Sequence, residues 1–174
     1  SVFSSSKAHS HSCTQRSLSS LSGLQNLQML TMKNTKVHNL APLSKLRSLQ
    51  VLALKNTRVR DLTPLSGMNN LQRLDLNGTR VCDLTALSGM LDLQKVWLNN
   101  TPVRDLSPIA SLTKIRNLDL RSCELRAIPR ELSELGLRFW VDGLVLEKEV
   151  IDLRGATLST QPISIFGEGD GAIR

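Results

Sequence analysis

The residues of this chain best equipped for metal or nucleophilic chemistry are its three histidines and three cysteines. His9, His11 and Cys13 form H-x-H-x-C, a cluster of imidazole and thiolate donors. A closed zinc site takes four ligands and no fourth follows nearby, so no metal is expected. His38 falls at a turn position expected to be solvated. No histidine has a nucleophile or acid matched to it in a catalytic pattern. Gly167-Glu-Gly169-Asp-Gly171 is glycine-rich but lacks the strand-to-helix setting that phosphate binding needs. No G-x-x-x-x-G-K-[ST] loop occurs. Neither an enzyme, a cofactor nor a small-molecule substrate is expected.

What remains is the chemistry of recognition, carried by charge and a few aromatics. Lys and Arg number 22 against 15 Asp and Glu, for a net charge of +7. The excess is uneven: residues 33–105 hold 11 basic and 5 acidic groups, whereas residues 106–174 hold 9 and 10. A basic surface favours acidic partners and speeds their encounter. Tyr is absent, Phe numbers 3 and Trp 2, which argues against stacking platforms for single-stranded nucleic acid. No apolar run of about 18 residues occurs, so no membrane span is expected.

These groups must be positioned by something, and the chain has one period. Leu27-Gln28, Leu49-Gln50, Leu71-Gln72, Leu93-Gln94 and Ile115-Arg116 recur every 22 residues. A typical unit reads LQVLALKNTRVRDLTPLSGMNN, from Leu49 to Asn70. Five matched units at one spacing mark a repeat architecture. In L-x-x-L-x-L the alternating residues predict a short strand, near 29–32, 51–54, 73–76, 95–98 and 117–120. Leu49, Leu52, Leu54, Val59, Leu62, Leu65 and Met68 would form one inward layer. One unit cannot close a core alone, so neighbours must stack. Thr63-Pro64 and Ser107-Pro108 place a hydroxyl before a proline, predicting a capped helical or 3-10 turn.

The unit matches L-x-x-L-x-L-x-x-N/C-x-L, the leucine-rich-repeat signature. Its 22-residue length with D-L-x-P-L resembles the repeats of internalins and of leucine-rich phosphatase regulators, over residues 18 to about 137. The resemblance implies an α/β fold, a right-handed leucine-rich-repeat solenoid with a parallel concave sheet and short helical or 3-10 turns on the convex side. Thr35, Thr57, Thr79, Thr101 and Cys123 fill the signature's Asn/Cys position. That column is expected to be buried and hydrogen-bonded to backbone.

Between the leucines, the outward residues of stacked strands line the concave face. Here Trp97 stands where the other units have Thr31, Ala53, Asp75 and Asp119. An outward Trp in a row of small or polar residues has no packing role evident in the pattern. With Lys95, Arg73, Asp75 and Asp119, and with Lys55, Asn77, Asn99 and Arg121 at the strand ends, it forms the expected partner-binding set. Asp75 and Asp119 stand two strands apart, about 10 Å, too far for shared acid–base work. The function this implies is protein recognition on the concave face, by a partner with an acidic patch. A basic-surface binder of nucleic acid or another polyanion, and a structural spacer, are the alternatives.

Residues 1–26 read as a Ser-rich segment and degraded first repeat, with Cys13 one period before Thr35 and strand positions at Ser5, Ala8 and Ser10. Residues 27–136 are the five repeats, and 137–174 a cap or junction in which Phe139, Trp140, Leu144, Val150, Leu153 and Leu158 cover the last repeat. The run Ile151-Asp-Leu153-Arg-Gly-Ala-Thr-Leu158, with Pro162-Ile163 and Gly169-Asp-Gly-Ala172-Ile173, resembles the segment that joins leucine-rich repeats to the GTPase module in bacterial Roco-type proteins. Ala156, Gln161 and Ser164 depart from that pattern. The resemblance implies the regulatory part of a larger protein. The odd, scattered cysteines read as reduced thiols, and the first 30 residues lack an apolar signal-peptide stretch, so a cytoplasmic setting is expected.

Overall fold

A computed structural model of the chain describes residues 7–9, 18–140 and 150–159. The side chains of His9, His11, Cys13 and Trp140, together with Ser5, Ser10, Leu144 and the segment from Gln161 onward, lie outside the described residues.

The alternating leucines form the strands that the period predicts. β2 (Met29–Thr31), β3 (Val51–Ala53), β4 (Arg73–Asp75), β5 (Lys95–Trp97) and β6 (Asn117–Asp119) pair in parallel, with Leu30, Leu52, Leu74, Val96 and Leu118 in one row. A register that advances by one whole repeat keeps every inward leucine inward, because side chains alternate faces along a strand. β1 (Lys7–His9) adds a rung before β2, so the degraded unit does supply a strand. At the other end β9 (Val150–Asp152) pairs with β6, and β8 (Arg138–Trp140) lies outside β9.

The step from Asp119 to its partner Asp152 is 33 residues where every earlier step is 22. Residues 150–158 thus continue the solenoid, and the segment before them carries the four-residue helix α1 (Arg130–Ser133) and β8. Val150, Ile151 and Leu153 are buried over the fifth repeat, as a cap would be, but they do so as a further rung. β7 (Glu124–Leu125) and β10 (Thr157–Leu158) pair in parallel on the flank that follows the strands.

The core is a single column. Leu49, Leu52, Leu54, Val59, Leu65 and Met68 are fully buried and Leu62 is 2% exposed. Burying each such side chain contributes about 1.5–3 kcal/mol. Each ring is sealed only by the rings above and below, which is why the repeats stabilise one another.

The Thr column is buried as expected. Thr35, Thr57, Thr79 and Thr101 donate Oγ–H to the carbonyls of Met32, Leu54, Leu76 and Leu98 at 2.6–2.8 Å. Cys123 Sγ reaches the Leu98 carbonyl at 3.1 Å. Each bond holds the chain as it turns off a strand. Thr79→Val keeps the shape and removes the hydroxyl, while the Leu76 carbonyl retains the Thr79 N–H at 3.1 Å. The expected cost is about 1 kcal/mol, read as a lower urea midpoint at unchanged slope. A variant unfolding at the parent's midpoint would refute the structural role.

The convex turns are 3-10: Ala41–Leu43, Thr63–Leu65, Thr85–Leu87 and Ser107–Ile109. Their capping differs from the sequence expectation. The cap positions are Leu62 and Leu106, so Thr63 and Ser107 are already the first residues of their turns, and their hydroxyls bond Asp61 and Asp105. Instead the carboxylates of Asp61, Asp83 and Asp105, and the Asn39 carboxamide, accept the backbone N–H two residues on at 2.8–2.9 Å. An Asx turn satisfies that orphan donor before the short turn begins. The hydroxyl and then the N–H of the residue two on hold all three aspartates below the usual carboxylate range. Just after β2 to β5, Asn34, Asn56, Gly78 and Asn100 adopt φ of +54 to +64°, the left-handed region that asparagine and glycine tolerate best; Ser122 does so after β6, at +54°.

Candidate functional site

Each strand of three residues turns its middle side chain inward and its outer two to the concave face. Two outward rows result. One runs Met29, Val51, Arg73, Lys95, Asn117, Val150, and the other Thr31, Ala53, Asp75, Trp97, Asp119, Asp152. A third row, two residues on, is Lys33, Lys55, Asn77, Asn99, Arg121 and Arg154.

The structure separates the expected binding set into two halves. Toward the C-terminus the charges are spent on one another. Arg121 grips Asp119 with two bonds, Nε–Oδ1 at 2.8 Å and Nη2–Oδ2 at 2.7 Å, and reaches Asp152 at 3.4 Å. Arg154 repeats the grip on Asp152 at 3.1 and 2.9 Å. Asp119 is 4% exposed, against its expected place as an open surface group: the guanidinium lies over it. The paired carboxylate is the main reason that the Arg121 pKa is raised.

Toward the N-terminus the face stays open. Trp97 is half-buried between Asp75 and Asp119. Beside it is a depression of about 360 Å³ walled by Trp97, Lys33, Arg73 and Asp75, with Ala53 and Val51 in its floor. Ala53 makes the hollow, being the smallest side chain of its row. Asp75 pairs with Lys33 at 3.5 Å and accepts the Asn77 N–H at 3.2 Å, while Asn77 Oδ1 accepts the Asn99 N–H at 2.8 Å. Lys55 and Arg73 are exposed and Lys95 half-buried, and no carboxylate among the described residues pairs with them. A larger hollow of about 480 Å³ lies between two convex turns, but its Asp61 and Asp83 already hold turn N–H groups.

Sequence reasoning missed Lys33, Asp152 and Arg154. The signal was present, since Asp152-Leu-Arg154 repeats Asp119-Leu-Arg121, but the longer step hid it. Among the described residues no three of His, Cys, Asp and Glu gather as metal ligands. No helix there is long and apolar enough to cross a membrane. Cys82 is exposed and Cys123 buried, neither in a disulfide. Burial is the main cause that pushes the Cys123 thiol pKa up.

A family profile described as leucine-rich repeats in two copies matches residues 47–89. No catalytic family is identified. No curated protein matches the sequence. Among solved structures, internalin C2 of Listeria monocytogenes superposes with a TM-score of 0.72 at 25% identity, over 87% of this chain and 61% of that one. The internalin inlF of the same organism gives 0.67 at 22%, covering 85% of this chain and 46% of its own. A leucine-rich-repeat protein of Leptospira interrogans gives 0.67 at 22%, covering 80% and 34%. The chain therefore spans less than two thirds of the length of each of these proteins. With its long parallel sheet of short strands alternating with 3-10 turns, the chain has the leucine-rich-repeat fold and is structurally similar to internalins.

Proposed function

We propose that the chain is a protein-recognition domain that seats its partner on the open half of the concave face, with Trp97 as the anchor. The observation that carries this is the half-buried Trp97 beside the depression over Ala53. Leucine-rich repeats are a class of protein-interaction module. The partner's chemistry follows from the free charges. Among the described residues no carboxylate pairs with Arg73, Lys95 or Lys55, whereas Asp119 and Asp152 are held by Arg121 and Arg154. An acidic patch around one apolar side chain fits this half; Asp119 and Arg121 serve by keeping the neighbouring rungs rigid.

Trp is enriched at interface hot spots, where truncation costs about 2 kcal/mol or more. Trp97→Ala is therefore expected to weaken partner capture about thirtyfold, while Lys45→Ala on the convex side leaves it unchanged. Quantified recovery of each captured protein on the two immobilised variants and the parent is the measurement. Equal recovery from both variants would end the assignment.

The likeness of residues 151–158 and 169–173 to the Roco-type junction carries a second proposal, a cytoplasmic regulatory protein whose GTPase module would follow Arg174. A P-loop in the gene shortly after that codon tests it, and another sequence there removes it.

A further inference from the structure

Beyond the concave face, the flank that follows the strands carries a second ordered set of charges. Its outward positions form two rows: Lys36, Arg58, Arg80, Pro102 and Glu124, then His38, Arg60, Cys82, Arg104 and Arg126, all exposed. Val37, Val59, Val81, Val103 and Leu125 between them are buried. The segments are in register, with Arg58 N–H on the Val37 carbonyl and Arg80 N–H on the Val59 carbonyl, both at 2.9 Å. Further along, the same flank becomes the β7–β10 pair, Glu124 opposite Thr157. Lys36, Arg58 and Arg80 are therefore stacked at about 4.8 Å per rung.

Like charges directly opposite on neighbouring strands destabilise the pair. Other cations of the solenoid have a carboxylate partner: Lys114 pairs with Asp92, Arg104 with Glu124, and Arg121 and Arg154 with Asp119 and Asp152. No carboxylate among the described residues pairs with Lys36, Arg58, Arg60 or Arg80. Alongside them is a trough of about 470 Å³, lined by Asn34, Asn56, Lys36, Arg58, Gly78 and Arg80. Asn56 Nδ2 donates to Asn34 Oδ1 at 2.9 Å, which sets a pair of carboxamides beside the cations.

We propose that this flank is a second binding face, for an extended acidic polypeptide segment lying across the rungs. Guanidinium forks match carboxylates. Side chains on one face of an extended chain recur about every 6.6 Å, so two or three carboxylates span the ladder. The carboxamides offer both donors and acceptors, as a peptide main chain needs and a phosphodiester chain does not. Residues 33–96 contain no Phe, Tyr or Trp on which bases could stack. The face lies around the edge from Trp97, so both can be occupied at once.

The test is fluorescence anisotropy of a fluorescein-labelled deca-glutamate peptide and of a labelled ten-nucleotide thymidine strand, titrated with the intact chain at low salt. The expected result is saturable binding of the peptide, tighter than that of the nucleotide strand. It should weaken about tenfold in Arg58→Ala/Arg80→Ala, as two exposed ion pairs allow, and stay unchanged in Trp97→Ala. Lys45→Ala/Arg47→Ala makes the same change in net charge elsewhere and should lose less than twofold. Circular dichroism melts confirm that each variant is folded. Tighter binding of the nucleotide strand, equal losses in the two double variants, or no saturable peptide binding would overturn the proposal. Loss in Trp97→Ala would return the peptide to the concave face.

Discussion

Replacing Arg121 by methionine is expected to cost the fold about 3 kcal/mol and to lower its melting temperature by about 10 °C. The side chain neutralises two carboxylates on adjacent rungs, Asp119 and Asp152, whose side chains are 6% and 10% exposed. Removing one partner of such a group leaves a charge without water or counter-ion, which costs more than the pair contributed. Arg121 is itself 37% exposed, so the effect falls at the low end of the range for buried pairs. Arg154 still holds Asp152, and Asp119 is the group left stranded.

The pH dependence of this loss follows from its cause. In the variant, Asp119 faces Asp152 with no cation of its own, and the penalty is carried by the stranded negative charge. Acid removes carboxylate charge, so the gap between variant and parent should be smaller at pH 4 than at pH 7, in paired urea melts. Arg121→Lys keeps the charge without the two-pronged grip and should fall between them. A gap of equal size at both pH values would mean that lost packing, not stranded charge, is the cause.

The Arg121 network also shows where the sequence was legible and where it was not. The strands, the inward leucines and the Thr column follow from a 22-residue period in which every unit reports the same geometry. The turn capping was misjudged because a hydroxyl before proline and an aspartate two residues earlier both suit a turn. Only the hydrogen bonds show that the aspartate accepts. Asp119 looked like open surface because alternation settles which face a side chain is on, not what leans over it; Arg121 does, from two residues away. Asp152 was hidden by the longer step, since a period search finds only equal steps. Trp97 and its row were legible because they depend on alternation alone. The hollow beside it was not, because it arises from the small size of Ala53 on a neighbouring rung.

Excising one whole unit, residues 73–94, should leave a folded and shorter solenoid, whereas excising half a unit, residues 73–83, should abolish cooperative unfolding. The first joins Gln72 to Lys95, so Val51, Leu52 and Ala53 meet Lys95, Val96 and Trp97 in the register that they now make with β4. The columns stay filled by compatible residues, with Leu52 under Val96 and Asn56 beside Asn100. A solenoid's stability is nearly a sum over rungs and their interfaces, so the variant should lose one rung's share of both stability and urea slope. The second joins Gln72 to Leu84, which leaves a strand entry running into a 3-10 turn with no strand between them. One ring must contain a strand, a left-handed turn residue and a 3-10 turn before the chain has climbed to its neighbour. The longer step between Asp119 and Asp152 does not contradict this, because extra residues can lie outside the ring, as β8 does. A missing half-ring has nothing to replace it. Urea melts followed by circular dichroism decide the matter: a cooperative transition in the half-unit variant, or none in the whole-unit variant, would refute the modular account.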